Sequence, residues 1–217
     1  MQLYCAPLAC SMAARISLYE AGAEAEFVYV DIHTDPKTRR LADQSDYYAI
    51  NPMGQVPAIR TDDGSLLTEN PAVLQYIGDQ YPEAGLTPAG GLERYRLQEW
   101  LNFISTELHK ATFIPLLNRG NHESVREYAQ RKLPLRFKHL DVHLRGRTTL
   151  LDRFTVADAY LFTVLNWAPY AHLNLADWPN VKAYHQALSS RPSISRALAE
   201  EARLFAQEQA QARQATV

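Results

Sequence analysis

The pattern of apolar and polar positions changes character once along the chain. In the first eighty residues, short apolar runs alternate with helix-like stretches. Residues 2–5 (QLYC) and 26–32 (EFVYVDI) have the length and the aromatic and β-branched content of strands. Between them, residues 11–21 repeat apolar side chains at helical spacing, and Gly22 stands where a helix is closed by a left-handed residue. Strand, helix, strand predicts a parallel pair joined by a right-handed crossover. Residues 33–50 are polar and irregular, with room for at most a short helix. Strands at 56–60 and 65–68 then flank an Asp-Asp-Gly turn, which reads as a β-hairpin. A helix with Val73, Tyr76 and Ile77 on one side follows.

Two Pro and three Gly within residues 81–91 break the pattern and predict a linker over 81–90. Every later segment is helical. Residues 93–117 carry apolar side chains at 97, 100, 101, 104 and 108. Residues 123–144 form another helix, which Pro134 should kink or split. Residues 154–170 are apolar nearly all round, as in a central buried helix. Helices at about 179–190 and 193–203 come next, and the tail 206–217 is polar and expected to fray. The organisation is thus an α/β domain over 1–80, the linker, an all-α domain over 91–205, and the tail.

Composition narrows the function classes. Apolar residues are 47% of the 217, enough for a substantial core, and the formal net charge of −2 gives no pull toward nucleic acid or anionic membrane. The apolar runs are far shorter than a membrane span, and the first ten residues lack a secretory-leader pattern, so a soluble cytoplasmic protein is expected. Cys5 and Cys10 are the two cysteines. Their C-x4-C spacing makes no disulfide framework, metal site or C-x-x-C dithiol, so a thiol that acts here acts alone.

Five places could carry chemistry. Cys10 lies where a helix begins, and unpaired N–H groups with the positive end of the helix dipole favour a thiolate there. Ser11 beside it can donate a hydrogen bond or cap the helix. The competing reading is an inert buried cysteine. Val56-Pro57 opens a strand; a cis bond there would leave Val56 backbone groups open to an extended peptide. Glu69-Asn70 joins a strand to a helix and suits a head group carrying an ammonium and a carboxylate, or simply caps the helix. Asn102, Thr106 and His109 fall at i, i+4 and i+7, one polar ridge that is either solvated surface or a partner for the thiol. Thr155 and Asp158 have capping-box spacing and are assigned to folding.

In order, the stretches ACS, NPMGQVP, LLTEN, LNFISTELHK and FTVADAYLFTVLNWA resemble the bacterial glutathione S-transferases, most closely the beta class, over nearly the whole chain. The resemblance implies a thioredoxin-like domain followed by an all-helical domain, and glutathione as co-substrate with no metal. It implies that Cys10 contacts the glutathione sulfur and can form a mixed disulfide with it, and that Pro57 is cis. Val56 would pair with the cysteinyl backbone, and Glu69 and Asn70 would hold the γ-glutamyl end. His109 would aid the thiolate, with Ser11 assisting. Asn102 and Thr106 would line the cleft of a homodimer. Lys37, or alternatively Arg39, would meet the glycine carboxylate. The implied reaction is conjugation of glutathione to a hydrophobic electrophile, held near loop 7–12 and Phe113, with mixed-disulfide exchange as a second mode. The alternatives are a non-enzymatic ligand-binding or regulatory protein of this fold, and a glutathione-dependent dehalogenase or isomerase. The chain departs from the family pattern at Leu8, where Gly is usual, at Asn70, where Gly or Ser is usual, and in its longer 33–46 loop.

Overall fold

The computed structural model describes residues 1–32, 38–118 and 120–215. Five strands form one mixed sheet: β1 (Gln2–Cys5), β2 (Glu26–Asp31), β3 (Arg40–Leu41), β4 (Ala58–Arg60) and β5 (Leu66–Leu67), in the order β3-β2-β1-β4-β5. β1 and β2 pair in parallel with Leu3 opposite Phe27, as the strand–helix–strand pattern predicts. β4 runs antiparallel to β1, with Leu3 opposite Ile59, and β5 completes the hairpin. The two-residue β3 is an addition to the sequence reading, being too short to show a period.

β1 is the central strand, so both its faces are covered. Leu3 and Cys5 face the main core, while Tyr4 packs with Val30, Tyr47, Val56 and Ala58 on the other side. The main core is continuous from the sheet into the helices. Helix α1 (Met12–Glu20) packs against α2 (Asn70–Gln80) and, across the junction, against α6 (Val156–Leu165) and α8 (Pro192–Ala215). All ten residues of α6 are buried, as its apolar circumference requires. Its capping box forms: Asp158 accepts from the Thr155 N–H at 2.9 Å and the Thr155 hydroxyl at 3.0 Å. The same carboxylate accepts from the Leu150 N–H at 2.7 Å and the Tyr184 hydroxyl at 2.9 Å. A thioredoxin-like domain is therefore followed by, and fused in one core with, an all-helical domain.

One alternative is excluded and two expectations are corrected. α5 (Glu123–His143) is not split at Pro134, which sits on its exposed side where the missing N–H is tolerated. The tail does not fray at 206; α8 runs on to Ala215, through residues that are mostly good helix formers. The long helix after the linker is not uniform. It starts as α3 (Gly91–Phe103), widens to a π-helix over Ile104–Phe113, and resumes as α4 (Ile114–Leu117). The Ile114 N–H bonds the His109 carbonyl, five residues back.

Candidate functional site

Cys10 sits in the turn entering α1, half-buried, and lines two cavities that meet beside it. Its thiol donates to the Val56 carbonyl at 3.0 Å, and its own carbonyl accepts from Asn70 Nδ2 at 3.2 Å. The first cavity, about 340 Å³, lies between the Val56-Pro57 turn, the start of α2 and the π-helix, and is lined by Pro57, Glu69, Asn70, Ser105 and Tyr160. The Val56-Pro57 bond is cis. Glu69 is exposed at the N-terminus of α2 with φ +66°, and no side chain caps that helix. Asn70 is buried, and its Oδ1 has no hydrogen-bond partner among the described residues. A polar acceptor left open inside a cleft is a place for a ligand donor.

The second cavity, about 280 Å³, is walled mainly by apolar groups: Leu8, Ile32, Ile114, Leu117, Trp167 and Phe205. Cys10, Gln55, Val56, His109 and Lys110 border both cavities. Phe113, expected on this wall, instead points into the core against Phe137 and Trp167. Arg39 lines the second cavity. One of its terminal nitrogens donates to the Ile32 carbonyl, and its buried Nε has no partner among the described residues. Lys37 lies outside the described residues.

The predicted polar ridge divides. His109 is buried at 4% exposure, whereas Asn102 and Thr106 are exposed and border neither cavity. A π-helix turns less per residue than an α-helix, so within the widened segment His109 rotates away from Thr106 and into the cleft. Asn102 and Thr106 bond one turn back along their own helix, to the carbonyls of Gln98 and Asn102. The same widening keeps Lys110, which sequence reasoning missed, on the rim beside His109. Ser11 is not brought to the cleft. It is fully buried, and its hydroxyl accepts from the Ala6 N–H at 3.1 Å and donates to the Ala6 carbonyl at 3.2 Å, pinning the loop.

The electrostatics oppose the expected Cys10 thiolate. Burial pushes the thiol up to about 11, with Lys110 pulling the other way. Lys110 and the backbone hydrogen bond at Cys10 do not overcome the loss of water, and the Val56 carbonyl offers an acceptor that only the protonated thiol can use. Burial, aided by Lys110, drives His109 down to about 3, so the imidazole is neutral. The site at rest therefore presents a neutral thiol and a neutral imidazole beside Lys110.

Leu8 holds the loop in an unusual way. Its φ of +56° is the left-handed conformation that glycine takes without cost. The Leu8 N–H donates to Glu201 Oε2 at 2.8 Å, and its carbonyl accepts from Trp167 Nε1 at 2.8 Å. Glu201 is fully buried and also receives Arg15 Nε at 3.0 Å; Arg15 itself is sandwiched against Phe27 and bonds the Tyr29 hydroxyl at 2.9 Å.

Residues 9–80 match the family model of the glutathione S-transferase N-terminal domain, and residues 103–192 that of the C-terminal domain. Glutathione S-transferase GstA of Escherichia coli O157:H7 is 40% identical over 203 residues, 93% of this chain and 98% of its own. The chain belongs to the glutathione S-transferase family. Among solved structures, the bacterial beta-class transferase of Sphingomonas chungbukensis is 40% identical with a TM-score of 0.86, covering 93% of this chain and 98% of that one. A sphingomonad glutathione S-transferase complexed with glutathione matches equally, at 40% identity and a TM-score of 0.86, over 93% of this chain and 99% of its own. The sequence-level resemblance to the beta class thus extends to the whole transferase fold. Among the described residues, no helix is long and apolar enough to cross a membrane.

Proposed function

We propose that this transferase binds glutathione in the polar cavity and conjugates it to a hydrophobic electrophile held in the apolar one. The observation that carries the reading is the meeting of the two cavities at Cys10, His109 and Lys110. A sulfur placed there touches both compartments. Glutathione lies extended, its γ-glutamyl ammonium on Glu69 and its carboxylate at the Asn70 end of α2. Its cysteinyl backbone pairs with Val56, releasing the Cys10 thiol from the Val56 carbonyl. Its glycine carboxylate points to Arg39, whose unpartnered guanidinium nitrogen supports that choice over Lys37. The charge of Lys110 stabilises the glutathione thiolate, and Cys10, being protonated, is a hydrogen-bond donor to it rather than a competing anion. The thiolate forms the new S–C bond as the leaving group departs with its electron pair; the thiol proton goes to solvent. Mixed-disulfide exchange through Cys10 is the slower mode, because it needs the Cys10 thiolate.

The active form is a homodimer. Tyr128, Leu135 and Val142 make an exposed apolar stripe along α5 at seven-residue spacing, and Leu92 and Tyr95 are exposed on α3. Asn102 on α3 and Thr106 on the π-helix are exposed, and a second copy brings them to the edge of the cleft. The two free cysteines suit a reducing compartment, the cytoplasm.

Titration calorimetry with glutathione, then turnover with an aryl halide and with a glutathione mixed disulfide, tests the reading. Wild type is expected to bind glutathione and to conjugate. Cys10→Ala is expected to keep conjugation and lose exchange. Absence of glutathione binding by the folded protein refutes the reading.

A further inference from the structure

Tyr160 lies on α6, which is wholly buried, and its hydroxyl must find a partner there. It finds His109: the hydroxyl lies 2.7 Å from Nδ1, and the rings meet edge to face with centroids 5.9 Å apart. Trp167 holds the other side of the imidazole, 5.0 Å away and tilted by 60°. The ring is thus fixed in place and only its proton is in question. Burial and the neighbouring Cys10 raise the Tyr160 phenol, while hydrogen bonding from Ser105 and Asn70 acts in the opposite direction, and the hydroxyl keeps its hydrogen. A neutral imidazole has one donor nitrogen and one acceptor nitrogen. A phenol that donates to Nδ1 makes Nδ1 the acceptor and leaves the hydrogen on Nε2, the nitrogen not engaged by Tyr160.

We propose that Tyr160 is a positioning residue that locks His109 as the Nε2–H tautomer, so that His109 donates a hydrogen bond to the glutathione sulfur and does not accept its proton. The inference deepens the reading of the site given above. The proton of the glutathione thiol then leaves to solvent, and His109 returns to the same state after each turnover without a proton to shed. The Tyr160–His109 contact joins α6 to the π-helix, so the widened segment is held where it presents the ring.

Long-range 15N–1H spectra of the His109 imidazole in the ligand-free protein test the lock directly, and do so whether or not glutathione binds. Wild type is expected to show a single Nε2–H tautomer that stays neutral at pH 5. Tyr160→Phe keeps the ring and its packing, so an unchanged melting temperature with a mixed tautomer population is expected. In turnover, Tyr160→Phe is expected to lower kcat about fivefold, the worth of one neutral hydrogen bond, with KM for glutathione within twofold. A wild-type spectrum with hydrogen on Nδ1 overturns the proposal, even if Tyr160→Phe fails to fold. So does a Tyr160→Phe protein with the same single tautomer and the same kcat. Failure of wild type to bind glutathione would instead overturn the functional reading and leave the tautomer result to stand by itself.

Discussion

The protonated state of Cys10 can be tested by its alkylation. The thiol moves from about 9 to about 11. Two pH units cut the thiolate fraction about a hundredfold, to roughly three in ten thousand at pH 7.5. Only the thiolate reacts with iodoacetamide, so the rate at neutral pH should be about a hundredfold below that of an unstructured cysteine peptide. It should rise tenfold per pH unit to at least pH 10 without a plateau. Intact-mass measurement counts the labels. Cys5 serves as the internal control, being fully buried and pushed up to about 12. One label is therefore expected on the native protein and two after unfolding. Because Lys110 favours the thiolate, Lys110→Ala should slow the reaction further at every pH. A plateau below pH 8.5, or a neutral-pH rate equal to the free peptide's, would refute the argument that burial outweighs Lys110 and the backbone hydrogen bond at Cys10.

Two further outcomes concern stability. Leu8→Ala keeps the left-handed conformation and loses packing, whereas Leu8→Gly removes the conformational cost. The glycine variant is expected to be the more stable of the two by about 1 kcal/mol in urea unfolding, and equal midpoints would refute the strain. Asp158→Ala leaves two buried N–H groups and the hydroxyls of Thr155 and Tyr184 without this acceptor, a loss of roughly 4 kcal/mol, while Asp158→Asn keeps one oxygen and loses about half of that. A urea midpoint for Asp158→Ala corresponding to less than 1 kcal/mol of destabilisation would refute the assignment of this carboxylate to folding.

Most of the fold was legible because it rests on local periodicity. The parallel pair, the hairpin and the buried α6 each carry their own pattern, and the Thr155–Asp158 spacing marks a capping box. Cys10, Val56-Pro57 and Glu69-Asn70 stood out as candidates because each lies at a junction between elements, where backbone groups are open, and the structure lines one cavity with them. What stayed hidden depends on geometry that spacing does not encode. The ridge of Asn102, Thr106 and His109 assumed a regular α-helix, and the π-helix turns the histidine away from the other two. Lys110 was hidden by the same assumption. Ser11 looked available because a residue before a helix often is, yet its hydroxyl closes a ring with Ala6. Tyr160 did leave a signal, a phenol on a buried and mainly apolar helix, but its partner lies 51 positions away.

The tethers of Leu8 bear on how such a chain can be cut and recombined. The loop that carries Cys10 belongs by sequence to the sheet domain. Its shape, however, is set by Trp167 and Glu201, 159 and 193 positions downstream. The thiol and the groups that aim it are therefore inherited from opposite ends of the chain. A chimaera that trades the helical half for a relative's carries Cys10 unchanged, but fits it with a loop written for different tethers. Leu8, Trp167 and Glu201 form the smallest set that has to travel together.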